Sequence, residues 1–174
     1  MNNDNDNEND YDSGKGNGIS NHYINSILKP TCPNFLGVYS SDNIPLQLLQ
    51  LQHDDTFFIV CNLSRVRESG SHFITIMCFP QYVLYIDSFG LPCTVKEIQS
   101  FLSKLKKQIF YNVQRVQAAS SSFCGFFCIL FVLHFNSLLF ATTPTPIMFD
   151  KENLSANDAI CIQKICEILN KDVY

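Results

Sequence analysis

Cys124 stands behind three serines at the head of a long apolar run, SSSFCGFFC over residues 120–128. A helix starting there would aim unpaired N–H groups and the positive end of its dipole at the sulfur, lowering the thiol pKa and making the thiolate a nucleophile. Cys128, one turn further on, suits a packed core position instead. A thiolate nucleophile needs an imidazole to stabilise it and then protonate the leaving amine, and the imidazole needs a carboxylate to orient it. His72 and Asp87 meet that need if their segments pair as a hairpin turning at Pro80 and Gln81. Such pairing sets residue 74 opposite 87 and 72 opposite 89, or 72 opposite 87 if the loop is two residues longer. Either register puts His72 and Asp87 on one face, because side chains alternate with period 2. A tetrahedral oxyanion also needs donors, for which the backbone N–H of Cys124 and a side-chain amide just upstream qualify. Gln117 is the candidate and Gln114 the alternative, although either alone is more often a surface glutamine.

The other histidines are placed less well. His134 lies ten residues beyond Cys124 on the same expected helix, about 15 Å away at 1.5 Å per residue, too far to take its proton. His22 borders the N-terminal tail, and His53 precedes Asp54 and Asp55 in a polar loop that no strand positions. Beyond residue 18 the glycines are Gly37, Gly70, Gly90 and Gly125. Three of them lie within three residues of His72, Asp87 or Cys124, where backbone must bend or be approached closely. Gly70 or Gly90 alone would read as an ordinary turn residue.

Several elements are needed to hold these groups. Ser20 caps a short helix to Lys29, which Pro30 is expected to stop. TCPNFLGVYSSDNIP over 31–45 reads as turn-rich, and Leu46–Gln52 is ambiguous between helix and coil. Phe57–Leu63 is a strongly apolar strand, followed by the expected hairpin of His72–Phe79 and Tyr82–Asp87. Thr94-Val95-Lys96-Glu97 has the form of a capping box, with Ile98, Phe101, Leu102 and Leu105 following at helical spacing. Ile109–Val116 reads as a strand, Ser120–Ser122 as a cap, and Phe123 to about Phe140 as a buried helix. After TTPTP, Ser155 opens a last amphipathic helix with Ile162, Ile165, Cys166 and Leu169 on its apolar side. The order implies an α+β domain with an antiparallel sheet.

Charge and composition narrow the function. Of the 174 residues, the first 18 carry five acids and one base, which accounts for the whole net charge of −4; the other 156 hold 11 of each sign. The tail, MNNDNDNENDYDSGKGNG, has two apolar residues and is expected to be disordered, leaving residues 19–174 as one domain. A neutral domain argues against a basic nucleic-acid-binding surface. The start lacks the basic and apolar segments of a secretory signal. The eight cysteines are then expected to be thiols, and they contain no C-x-x-C pair for a metal. The run from Phe123 to Ala141 approaches the ~20 residues that span a bilayer. Gly125, His134, Asn136 and Ser137 interrupt it, however, and no Lys or Arg lies between Arg115 and Lys151 to anchor it. A buried core helix and no membrane association are expected.

The segments GSHF (70–73), DSFG (87–90), VQAASSSFCGFFC (116–128) and LHF (133–135), with CPNFLGVY (32–39) earlier, form a pattern. It resembles the adenovirus-type processing protease (adenain) and its relatives in large DNA viruses and virus-like Maverick/Polinton elements, over about residues 20–140. That family orders its site as His, acid, Gln, Cys, with the glutamine seven residues before the cysteine, as Gln117 stands before Cys124. The related ubiquitin-like-protein proteases typically space them by six and place Asp next to the cysteine, where this chain has Phe123. The resemblance implies a papain-like α+β fold of the adenain type with Cys124 on a buried helix. It implies Cys124 as nucleophile, His72 as general base and acid, Asp87 as orienting acid and Gln117 as oxyanion donor. The activity implied is a cysteine endopeptidase maturing capsid or core precursors, with small residues such as Gly near the cleaved bond. The setting implied is a virion or the host nucleus or cytoplasm, and a monomer is expected. An isopeptidase acting on ubiquitin-like proteins, or an inactive binding module of the same fold, are the alternatives. Phe73 stands where many relatives have Trp. The adenoviral enzyme is activated by DNA and by a disulfide-linked peptide, but residues 104–110 here contain no cysteine and the domain is neutral. No cofactor is expected, and charge does not support activation by DNA.

Overall fold

The stretches FFIVCN and FITIMC are apolar at almost every position, as strands covered on both faces must be. In the computed structural model, which describes residues 18–51, 55–69, 71–140 and 147–171, they are β2 (Phe57–Asn62) and β3 (Phe73–Cys78), and each of their residues is buried. They form the centre of a five-stranded sheet in the order β1-β2-β3-β4-β5, with β1 at Phe35–Ser40, β4 at Tyr82–Ile86 and β5 at Gln108–Tyr111. Period-2 alternation splits the core in two. Phe57, Ile59, Cys61, Ile74 and Ile76 pack on one face against Ile98, Phe101 and Leu102 of α2 (Lys96–Lys104). Phe58, Val60, Phe73 and Met77 pack on the other against α1 (Asn21–Thr31), α3 (Cys124–Phe140) and α4 (Asn157–Lys171). The molecule is an α+β protein with helices on both faces of a mixed sheet.

The sheet corrects the expectation of a purely antiparallel one. β2, β3 and β4 do pair antiparallel, but β1 runs parallel to β2 and β5 parallel to β4. Pro33, Asn34 and Gly37 make the segment before Ser40 look like turns, yet Phe35–Ser40 is a strand. Gly37 sits at φ +146° beside an irregularity in the β1–β2 register, a conformation that glycine tolerates. β5 ends at Tyr111, short of the expected Val116, because Asn112 turns away to bond the backbone of Asp87.

Local chemistry explains the remaining differences. Ser20 caps α1 by accepting from the Tyr23 N–H at 3.2 Å, as its type predicts. Pro30 lies inside the last turn rather than before it, and the helix closes with Cys32 N–H donating to Leu28 O at 2.8 Å. The expected capping box does not form: Val95 is the N-cap without a side-chain bond, and the Glu97 carboxylate pairs with Arg65. A short 3-10 turn over Leu154–Ala156 leads into α4, whose buried positions are Asn157, Cys161 and Ile165, with Cys166 exposed rather than on the apolar side. α3 is apolar all round, as a core helix can be. Its 17 residues span about 25 Å, and among the described residues no helix is long and apolar enough to cross a membrane. The acidic tail, apart from Gly18, and His53 and Gly70 lie outside the described residues.

Candidate active site

Cys124 is the first residue of α3, where first-turn N–H groups have no partner within the helix, and the Gly125 N–H bonds its sulfur. Gly125 allows the approach that fixes this turn: a Cβ there would lie 2.6 Å from Cγ1 of Ile19, which packs against it. Cys124 is half-buried, whereas Cys32, Cys61, Cys78, Cys93, Cys128 and Cys161 are buried and Cys166 is exposed.

His72 lies one residue before β3 and Asp87 one residue after β4. The ladder pairs Thr75 with Ile86 and Cys78 with Val83, and continuing it sets 74 opposite 87 and 72 opposite 89, the first of the two expected registers. The diagonal relation brings Nε2 of His72 to 2.8 Å from Oδ1 of Asp87, with the two side chains 12 % and 3 % exposed. Phe89, opposite His72, stacks its ring on the imidazole at 4.7 Å between centroids and 28° between planes. With Nε2 occupied by Asp87, Nδ1 is the ring nitrogen left for the interaction with the Cys124 thiol. Burial alone would lower the His72 pKa, but hydrogen bonds and charge from Asp87 and Cys124 outweigh it and raise it to about 9. Burial raises the Cys124 pKa, and the His72 hydrogen bond, the Phe73 N–H, the His72 charge and the Gly125 N–H together bring it below its ordinary value. Both shifts favour the thiolate–imidazolium pair. Cys128, fully enclosed one turn along, is pushed well up by burial and stays a thiol.

The Asp87 carboxylate is held from several directions. Its Oδ1 accepts from the Phe89 N–H at 2.7 Å, which closes the turn tightly. Asn112 clamps its backbone, accepting from Asp87 N–H at 2.8 Å and donating to Asp87 O at 2.7 Å and Gln114 O at 3.1 Å. Gly90 sits at φ +67°, and a Cβ there would lie 3.0 Å from backbone atoms of Val113, Gln114 and Arg115. This turn therefore requires glycine, and the loop after β5 rests directly on it.

Three of the four expected residues come together, with His72 between Asp87 and Cys124. Gln117 is placed differently: it is 1 % exposed, its Oε1 accepts from Ser88 Oγ at 2.6 Å, and its Nε2 donates to Ser121 O at 2.8 Å. Its amide thus ties the turn carrying Asp87 to the loop carrying Cys124. Gln114 is exposed. Ser121 is the hub of the second loop: its Oγ accepts from Phe123 N–H at 3.2 Å and donates to Asp158 Oδ1 at 2.9 Å. Asn157, fully buried, donates to Val116 O and Asp150 O at 2.8 and 2.9 Å. Sequence reasoning missed Phe89, Asn112 and Asn157 and read Ser121 only as part of a cap; the partners it did not foresee, such as Asp158 for Ser121, lie far along the chain. His134 is half-buried and edge-on to Phe135, its pKa lowered by burial, on the core helix beyond Cys124. Among the described residues no three His, Cys, Asp or Glu side chains converge as a metal would require.

No family model and no curated protein matches the chain. Among solved structures, it is similar to the central domain of the uncharacterized protein Lpg1148 from Legionella pneumophila, at 11% sequence identity and a TM-score of 0.52. The match covers 88% of this chain and 97% of that one. At this identity the likeness speaks for the fold alone.

Proposed function

We propose that this protein is a cysteine endopeptidase with a papain-like fold of the adenain type. The observation that carries the reading is the relay of a half-buried thiol at a helix start, an imidazole raised to about 9, and a buried carboxylate 2.8 Å from that imidazole. The Cys124 thiolate attacks a peptide carbonyl carbon, and the carbonyl π electrons move to oxygen. Backbone N–H groups at the start of α3 stabilise that oxyanion. The C–N bond then breaks as His72 gives its proton to the leaving amine, and a thioester remains on Cys124. Water, deprotonated by His72, attacks the thioester, and the carboxylic acid leaves as the thiolate is restored. Asp87 holds the ring orientation and the imidazolium throughout.

The order His72, Asp87, Gln117, Cys124 and its spacing support placing the substrate among structural precursors of a virus or virus-like element, capsid or core proteins processed beside small residues such as Gly. Neither DNA nor an activating peptide enters the proposal, since the domain is neutral and residues 104–110 carry no cysteine. The test is selective labelling: a thiol-reactive probe should mark Cys124 ahead of the other seven cysteines and lose that preference in His72→Ala. Uniform labelling would falsify the enzyme reading. Efficient cleavage of a ubiquitin-like conjugate with none of a Gly-rich peptide library would make the protein an isopeptidase instead.

A further inference from the structure

A cleft of about 250 Å³ is bounded by Phe89, Leu91, Arg115 and Ala119, and its Phe89 wall is the ring that stacks on His72. Cofactor and drug sites typically enclose about 300–1,000 Å³, so this one suits a side chain. Its position follows from Phe89, whose ring stacks on the imidazole and also forms the wall beneath Arg115, with the guanidinium carbon 5.3 Å from the ring centroid. Arg115 is tethered as well as stacked: its Nε donates to Gln117 O at 2.8 Å, which leaves the terminal guanidinium nitrogens to project. Among the described residues no carboxylate pairs with it. Gly90 packs against the Arg115 backbone, so the floor and the cation are held by the same turn that sets Asp87.

Resting on the protease reading above, we propose that this cleft selects substrates with a carboxylate on the leaving-group side of the scissile bond. The direction comes from the chemistry. His72 must protonate the departing amine, so the residues that leave with that amine run past the imidazole and over Phe89. There the apolar wall takes a side-chain stem, and a planar guanidinium meets two carboxylate oxygens as Lys could not. The carboxylate belongs either to an Asp or Glu side chain or to a free C-terminus close behind the cleaved bond.

The test compares fluorogenic peptides identical except on the leaving side. One set carries Glu, Gln or Lys there with an amidated C-terminus; a second carries Gln with the C-terminus free or amidated. Wild type is expected to favour Glu over Gln by about tenfold in kcat/KM at low ionic strength, as a bidentate contact that becomes covered on binding would give. The ratio shrinks in 0.5 M salt. Arg115→Gln brings it to about one, and Arg115→Lys restores part of it. Preference for the free over the amidated C-terminus, without one for Glu, assigns the cleft to a terminal carboxylate. The same peptides are titrated by fluorescence anisotropy against Cys124→Ala, so carboxylate recognition is read without turnover. Equal treatment of all peptides by wild type, or a Glu preference that survives Arg115→Gln, overturns the proposal while selective Cys124 labelling leaves the protease reading standing. Loss of labelling with an intact Arg115-dependent binding preference overturns the protease reading and keeps the carboxylate site.

Discussion

At the scale of single residues, the site depends on two opposed shifts that arise from one contact. His72 gains its proton affinity from Asp87 and Cys124 against the pull of burial, and Cys124 loses its own to His72 and two backbone N–H groups. The pH dependence follows in sign. The thiolate persists as pH falls below the ordinary thiol range, because the Cys124 pKa is lowered, and the imidazolium persists until pH rises through about 9. Turnover is therefore expected to hold through neutral pH and fall as pH passes about 9, where His72 no longer carries the proton the leaving amine needs. In His72→Ala, probe labelling of Cys124 shifts to higher pH and kcat drops by about 100- to 10,000-fold. Stopped labelling across pH 5–10 checks this, and a Cys124 profile unchanged by the substitution would show that the two groups do not communicate. Gln117 is the residue whose type was informative and whose placement was not. Its spacing before Cys124 singles it out, but spacing cannot say that Ser88 and Ser121 occupy both ends of its amide.

At the scale of elements, the β3–β4 hairpin and the loop after β5 form one unit around Asp87. Asn112→Ala would strip partners from both the N–H and the carbonyl of Asp87, groups bonded at 2.8 and 2.7 Å, and is expected to cost about 1–3 kcal/mol. Gly90→Ala forces a left-handed φ of +67° on an L side chain and drives its Cβ against the backbone of Val113, Gln114 and Arg115. A loss of similar size, about 1–3 kcal/mol, is expected. Urea unfolding measures both, and a wild-type midpoint in either variant would mean that the turn is not held as described. The hairpin was legible in the sequence because Pro80 and Gln81 stand between two apolar runs and place the turn, which sets the register; FITIMC, buried on both faces, sets none by itself. β1 was hidden because Pro33, Asn34 and Gly37 write a turn into a segment whose strand conformation comes from pairing with β2. The capping box failed for a related reason. Arg65, 32 residues away in sequence, competes for Glu97, and no local pattern reports a distant cation.

At the scale of the whole molecule, the site draws on both ends of the domain. Ile19, before α1, packs on Gly125 at the nucleophile's helix, and α4 at the other end supports the loop that precedes it. The neutral charge of residues 19–174 fits an assembly held by packing and buried hydrogen bonds rather than by a field. Asn157 is the sharpest point of this dependence. It is fully buried at the start of α4, its Nδ2 donating to Val116 O and Asp150 O while its Oδ1 accepts from the Asp150 N–H at 2.8 Å. One side chain therefore joins the C-terminal helix, the segment leading into it and the residue next to Gln117. Asn157→Ala would leave these backbone groups unpaired in a site too enclosed for easy hydration, at a cost of about 1–3 kcal/mol. Because Val116 and Gln117 both donate to Ser88 O, the strain passes to the turn carrying Asp87. The variant is then expected to lose kcat with little change in KM, since it disturbs alignment of the relay and touches no substrate. Its melting temperature and its steady-state constants decide the matter together. A destabilised protein with wild-type kcat would confine Asn157 to the core, and a stable protein with lowered kcat would show that the helix end tunes the relay without supporting the fold.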